Sequence, residues 1–307
     1  MMRKPEGKTI LVTGGAGFIG SHLVRELAEA NDVRVLDDFS DGRREWLDDR
    51  ATLVKGDIRN ADAVEVATED VDLIFHEAAN VSVEKSIQSP IESHETNVDA
   101  TLMLLERARD VDARIVMASS AAVYGSPESV PIRESDLKTP TSPYGLEKLT
   151  VDHYVRLYSD LYDTDALALR YFNVYGPRQG GGQYSGVIDV FFEQARADDP
   201  ITVHGDGKQT RDFVHVRDVV EANCLAALDG TPGEAYNVGT GESISIRELA
   251  ELVRELVGSE SEIVHTDPRN GDIERSRPSV EKARRDFGFE ASVGLKDGLR
   301  ELVIEGF

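Results

Sequence analysis

A strand, a glycine turn and a helix follow one another without a break in TILVTGGAGFIGSHLVRELA, residues 9 to 28. Gly14, Gly17 and Gly20 read as G-x-x-G-x-x-G, and Gly15, Gly17 and Gly20 also satisfy G-x-G-x-x-G. Glycines at this spacing let the chain turn tightly. They also bring backbone against a pyrophosphate at the helix N-terminus, where free N–H groups and the helix dipole favour an anion. A glycine pattern alone is weak evidence. Here it follows a strand and opens a helix, and an acid, Asp37, ends the next apolar run, VRVLD. That context defines the dinucleotide-binding turn. Asp37 is expected to accept hydrogen bonds from the adenosine ribose hydroxyls. Its carboxylate would repel a 2′-phosphate, which favours NAD over NADP, although Arg43 and Arg44 lie nearby. Asp57, in KGDIRN, suits either the adenine amino group or a turn.

The rest of the first half repeats the same alternation. KTILV, VRVLD, TLVKGD, DLIFH, ARIVMAS and ALALRYF are apolar runs too short for helices, and amphipathic segments such as HLVRELAEA and NVDATLMLLERAR separate them. This pattern predicts βαβ units and a parallel sheet buried on both faces. The expected fold class is α/β, a doubly wound Rossmann-like parallel sheet with a smaller α/β C-terminal domain for substrate. Beyond residue 172 the pattern loosens. GPRQGGGQYSG reads as a loop, helices are expected near 187–197, 217–229, 246–257 and 295–303, and Ser245 with Glu248 makes a capping box for the third. The division predicted is residues 1–172 with about 213–238 as the NAD-binding domain, and about 173–212 with 239–307 as the nucleotide-sugar-binding domain.

ARIVMASSAAVYG delivers Ser119 and Ser120 to the carboxyl edge of the sheet, where doubly wound folds bind ligands. SPYGLEK then sets Tyr144 and Lys148 one helical turn apart on one face. A nucleotide fold with these features resembles the short-chain dehydrogenase/reductase superfamily, more narrowly its extended branch acting on nucleotide sugars, with the UDP-glucose 4-epimerases nearest. The resemblance runs nearly the whole length: TGGAGFIG, HEAAN, ETNVDATL, SSAAVYG, SPYGLEK, LRYFNVYGPRQ, TRDFVHVRDV, YNVGTG and PRNGD occur in order.

The resemblance implies roles residue by residue. Tyr144 is the base that takes the carbinol proton, Lys148 lowers its proton affinity and holds the nicotinamide ribose, and Ser120 hydrogen-bonds the reacting oxygen. A phenol has an ordinary pKa of about 10, so two neighbouring positive charges, Lys148 and an oxidised nicotinamide, are expected to lower it. Gly14, Gly17, Phe18, Ile19, Gly20, Asp37, Asp57, Ile58, Ala78, Ala79, Asn97, Ser119 and Tyr171 complete the implied NAD contacts. For a UDP-sugar the implied contacts are Val83, Asn173, Gly186, Val187, Thr202 and His204. Arg211 and Arg269 would hold the diphosphate, as suits guanidinium, and Asp272 the uridine ribose. Ser276, seven residues after Arg269, would bound the pocket beside the sugar C2 substituent, and its small size implies room for an N-acetyl group.

Dehydratases of that branch carry Asp-Glu after the catalytic hydroxyl residue, and UDP-glucuronate decarboxylases a Glu in the second of those positions. Ala121-Ala122 stands here instead. Neither side chain can transfer a proton, which leaves oxidation at C4 followed by return of the hydride to the opposite face. The alternatives are another nucleotide-sugar enzyme (UDP-glucuronate 4-epimerase, UDP-glucuronate decarboxylase, dTDP-glucose 4,6-dehydratase or a dTDP-sugar reductase) and a non-catalytic nucleotide-binding relative. The last would show a broken Tyr-x-x-x-Lys or a basic face. The branch also implies a homodimer.

Composition narrows the partners. Against 57 acidic residues stand 34 basic ones, a net charge of −23, with 9 Lys to 25 Arg. Such a surface repels nucleic acid and anionic lipid. No apolar run approaches the ~18 residues of a membrane span, and no apolar stretch follows MMRKPEGK as in a signal peptide. The expectation is a cytoplasmic protein with no nucleic acid or membrane partner. Cys224, the single cysteine, excludes an internal disulfide framework and suits a buried place in a helix. No metal is expected, and His76, His204 and His215 are expected to pack at strand ends. Acid excess with few lysines resembles proteins of salt-rich cytoplasm, where self-repulsion is screened within about 3 Å at molar salt. The melting temperature should therefore rise between low and molar KCl; an unchanged value contradicts the halophilic reading.

Overall fold

The computed structural model of the chain describes residues 2–179, 186–269 and 271–306. The six apolar runs become β1 (Thr9–Thr13), β2 (Asp32–Asp37), β3 (Thr52–Lys55), β4 (Leu73–His76), β5 (Arg114–Ser120) and β6 (Ala166–Tyr171), and Ala235–Val238 adds β7. They form one sheet in the order β7-β6-β5-β4-β1-β2-β3, every neighbouring pair parallel. Both faces are covered, which is why the central strands β1 and β4 are almost wholly buried apolar runs, while the edge strand β3 is partly exposed. In β1, Ile10 and Val12 join Leu23 and Leu27 of the helix Phe18–Leu27 on one side, where Val219 of the helix Val216–Asp229 also packs. Leu11 joins Leu104 and Leu105 of the helix Ala100–Asp110 and Val151 of the helix Pro143–Tyr162 on the other.

Chain order reverses between β1 and β4. From β1 the chain winds outward to β3, then returns to the other side of β1. The connections on either side leave in opposite directions, and a crevice opens at the carboxyl ends there. Register brings those ends level: Thr13 pairs with Leu36 and with His76, and Ser120 pairs with Tyr171.

A smaller unit carries its own core. Phe191 and Phe192 of the helix Val187–Arg196 meet Leu249 and Val253 of the helix Ile246–Val257, with Leu299 and Leu302 of the helix Leu295–Glu305. Ser245 caps Ile246–Val257, its hydroxyl accepting from Glu248 N–H while the Glu248 carboxylate accepts from Ser245 N–H, as the sequence predicts. Short strands face the larger unit: Ile201–His204 pairs with Ile263–Thr266, and Thr210–Arg211 lies between Ile244–Ser245 and Arg275–Ser276. Helix Glu281–Phe287 returns to the larger core, where Ala283, Phe287 and Phe289 pack. The middle of the glycine-rich stretch expected as a loop, 180–185, lies outside the described residues. Among the described residues no helix is long and apolar enough to cross a membrane. His76, His204 and His215 each end a strand.

The glycine turn is packed to contact. A Cβ at Gly20 would stand 2.1 Å from the Gly14 carbonyl oxygen, with further backbone inside 3 Å. Neither neighbour is a side chain that can swing aside. Gly20→Ala should destabilise by about 1–3 kcal/mol, roughly 2–4 °C in melting temperature per kcal/mol. A thermal melt coincident with the parent contradicts this packing.

Candidate active site

A cleft of about 430 Å³ opens at the reversal point, lined by the glycine turn, the ends of β2, β4, β5 and β6, and the start of helix Pro143–Tyr162. Gly14 has φ +67°, and a Cβ there would meet Ala78 N at 2.7 Å, so only glycine lets the turn lie against the segment after β4. Gly17 is the N-cap of helix Phe18–Leu27 and no side chain caps it. The first-turn N–H groups, with Phe18 and Ile19 on the cleft wall, therefore suit an anion.

At the adenosine end, Asp37 accepts Ala16 N–H at 2.9 Å on one oxygen and Phe39 N–H at 2.8 Å on the other. Burial pushes its carboxyl up, and the two backbone bonds oppose this. Remaining lone pairs on each oxygen suit a ribose diol. Asp57 lines the cleft but is engaged by Arg59, which donates from its guanidinium at 2.5 Å and from its backbone at 2.8 Å, holding the carboxyl below its ordinary value. Of the two uses open to Asp57 in the sequence, the turn is the one visible. Ile58 lies beside it, and Arg43 on the same wall stacks over Trp46. Arg44 is exposed and lines no part of the cleft.

At the other end Ser142 caps the helix, its hydroxyl accepting Gly145 N–H at 3.1 Å, and Pro143 fixes the first turn. Tyr144 and Lys148 thereby face the cleft together. The Lys148 ammonium donates to Ala118 O at 2.9 Å and lies 6.0 Å from the centre of the Tyr144 ring. Ser120 ends β5; its hydroxyl accepts Ala122 N–H at 3.1 Å and acts to lower the proton affinity of the Tyr144 phenol. Burial pushes the phenol up, the Ser120 hydroxyl opposes this, and Glu147 adds to it. Burial also pushes Lys148 down to about 8. The sequence leads to a phenol lowered by Lys148 and an oxidised nicotinamide together; the protein's own groups raise it, burial first and Glu147 after it.

The sequence also leads to Asn97, which stands behind the cleft wall. It sits in a π-helical turn, Glu95–Asp99, between the helices Pro90–His94 and Ala100–Asp110. Its amide accepts Asn80 N–H at 2.8 Å and donates to Asn80 O at 2.9 Å and to Glu147 at 2.7 Å. Asn80 itself, with Glu77, Arg178 and Gln179, also lines the cleft, and no pattern in the sequence marks them as site residues. HEAAN and GPRQ contain all four, and the signal available was their place just after strands.

The fit to a polar dinucleotide rests on unsatisfied groups. Ser119 Oγ and Asn80 Nδ2 are buried, lie on the wall beside Ala78 and Ala79, and have no partner among the described residues. Such orphans are rare unless a ligand completes them. The residues present fit NAD. Among the described residues no group of His, Cys, Asp or Glu has the arrangement of a metal site.

Most of the residues assigned to a sugar nucleotide lie in the smaller unit and its approach, outside the lining of this cleft; Val83 follows β4 in the larger unit. Arg211, Asp272 and Ser276 come together: Arg211 donates to the Asp272 carboxylate, and Ser276, buried, pairs with Arg211 in register. Asn173 Nδ2 donates to Asp212 O at 2.7 Å. Gly186 caps helix Val187–Arg196, its N–H bonded to Asp189. Thr202 is engaged by Gln194 and His204 by Thr266, while Arg269 is exposed and Val83 half-exposed at the start of its helix.

A doubly wound sheet with this turn and a buried Tyr-x-x-x-Lys pair defines a nicotinamide-dinucleotide enzyme of the short-chain dehydrogenase/reductase type. Within that class the chain belongs to the NAD dependent epimerase/dehydratase family, whose model matches residues 10–239. Its cofactor is NAD. It is 40% identical over 302 residues, 95% of this chain and 96% of the relative, to a UDP-glucose 4-epimerase of Mycolicibacterium smegmatis. A solved UDP-N-acetylglucosamine 4-epimerase from Methanobrevibacter ruminantium, in complex with UDP-N-acetylmuramic acid, superposes with a TM-score of 0.94 at 34% identity, covering 98% of each chain. A UDP-N-acetyl-α-D-glucosaminuronate decarboxylase of Bacillus cytotoxicus is 34% identical, covering 96% of this chain and 97% of the relative.

Proposed function

We propose that the chain interconverts the C4 epimers of a UDP-hexose, UDP-glucose and UDP-galactose with UDP-GlcNAc and UDP-GalNAc beside them, through a transient 4-keto sugar. The observation that carries this reading is the pairing of an intact Ser120–Tyr144–Lys148 cluster with alanines at 121 and 122. The 3₁₀ turn Ala121–Tyr124 follows Ser120 directly, so those alanines occupy the positions from which elimination or decarboxylation chemistry would need a carboxyl.

Tyr144 takes the proton of the C4 hydroxyl and later returns one to the opposite alkoxide. Ser120, at the end of β5, lowers the phenol's proton affinity and hydrogen-bonds the reacting oxygen. Lys148 supplies a positive charge that favours the phenolate. Bound NAD supplies a hydride acceptor and donor, unchanged over a full cycle. Since the keto sugar must present its other face, the diphosphate has to be gripped more firmly than the hexose. Arg211 and Arg269 are the guanidinium groups for this, and Asp272 is released to the uridine ribose when Arg211 turns to phosphate. Asn173, Gly186, Val187, Thr202, His204 and Val83 border the nucleotide sugar.

Incubating the protein with UDP-glucose, UDP-GlcNAc, UDP-glucuronate and dTDP-glucose without added cofactor, followed by NMR, should show inversion at C4 alone. A 6-deoxy-4-keto sugar or a pentose with released CO₂ overturns the reading. Ser276→Tyr should lower turnover of the N-acetylhexosamines by about tenfold or more relative to the hexoses, the scale of about 1.4 kcal/mol for a steric misfit. Equal losses contradict the role given to Ser276.

A further inference from the structure

A second cavity, of about 420 Å³, lies away from the NAD cleft and shares no lining residue with it. It opens beside the start of β7, between the segment 133–135, the helix Pro143–Tyr162 and the helix Glu281–Phe287. Sites for small molecules span about 300–1,000 Å³, so the space suits a ligand and not merely a few waters.

Its charge inverts that of the chain. Arg133, Arg156, Arg170, Lys282 and Arg285 line it against Glu134, Glu234 and Glu281, five basic groups to three acidic, where the whole chain has 34 to 57. Lys282 is neutralised by Glu234 at 2.6 Å and Arg285 by Asp286 at 2.7 Å. Glu134 turns Oε1 to the backbone N–H of Asn237 at 2.9 Å, and Glu281 is exposed to screening by salt. Arg133 and Arg156 are left. Both are exposed, and neither guanidinium has a hydrogen-bond or ion-pair partner among the described residues.

The base of the cavity is Arg170 of β6, whose residue surface is 1% exposed. Its Nε donates to Asp152 at 2.6 Å, and its Nη1 donates to the Tyr124 hydroxyl at 2.8 Å and to Glu134 O at 3.2 Å. Nη2 makes no hydrogen bond among the described residues, yet it is not sealed in, and the space that Arg170 lines is this cavity. A guanidinium carries five N–H donors, and donors at such depth are normally satisfied. The wall above is held in place too. Ile132 N–H donates to Arg277 O at 2.8 Å and Ser279 N–H donates to Ile132 O at 2.7 Å, which fixes the approach of Arg133 against the segment that ends at Ser279.

We propose that this cavity binds a phosphate-type oxyanion, free or as the monoester of a small metabolite, with Arg170 Nη2 at its base and Arg133 and Arg156 at its mouth. Planar guanidinium donors match phosphate oxygens. A recessed positive cleft concentrates anions locally even on a molecule of net charge −23. The volume leaves room beside a phosphate group, which the body of a monoester would fill.

The test is a calorimetric titration of the NAD-loaded protein, at constant ionic strength in KCl, with inorganic phosphate and with glycerol 3-phosphate. At least one of the two should bind saturably, and the tighter of them tells whether the occupant is the free ion or the ester. Arg133→Gln and Arg156→Gln, both at exposed positions, should each weaken that binding by about tenfold or more. Arg247→Gln, which removes the same charge from an exposed position on the smaller unit, should leave it unchanged. The proposal is overturned if neither probe saturates, if Arg133→Gln and Arg156→Gln bind as the parent does, or if all three variants weaken binding equally. Neither probe is a nucleotide sugar, so the result is separate from that of the sugar panel.

Discussion

Desolvation acts on Tyr144 and Lys148 in opposite senses, and the rest of the site answers to it. Burial raises the phenol and lowers the ammonium, so the cleft by itself favours the neutral pair. Base chemistry needs the ionised pair. Each charge is sustained only by partners: the Ser120 hydroxyl for the phenol, and Ala118 O with nearby carboxylates for the lysine. A positive charge arriving with an oxidised nicotinamide would favour the phenolate further.

The fold holds these groups at the required depth. A parallel sheet buried on both faces has rigid strand ends, and β4, β5 and β6 deliver Glu77, Ser119 and Tyr171 to one crevice. Ser142 and Pro143 fix the start of the helix that carries Tyr144, so its register relative to β5 is set by a cap and not by side-chain packing alone. The glycine turn opposite is equally constrained, since the Gly14 and Gly20 contacts leave no room for a methyl group.

Much of this was legible in the sequence because it depends on local pattern. Strand–glycine–helix succession, short apolar runs, Ser245 with Glu248, and a tyrosine four residues before a lysine each encode structure within a few residues. Other features depend on contacts across long sequence separations. Asn97 braces the backbone of Asn80 from a π-turn that no apolar periodicity announces. Arg211 and Asp272, sixty-one residues apart, pair with each other, a contact that no local pattern shows. Glu77 accepts from the Tyr171 phenol, ninety-four residues along the chain, so nothing local in HEAAN announces it. The net effect of burial on the phenol was likewise invisible, since spacing gives proximity to Lys148 but not depth.

The most direct test of the central claim is a spectrophotometric titration of the Tyr144 phenol, taken as the difference between parental and Tyr144→Phe protein, once loaded with NAD⁺ and once with NADH. The account predicts a midpoint below the ordinary phenol value of about 10 with the oxidised cofactor and a higher one with the reduced form. Coincident midpoints in the two states would contradict it.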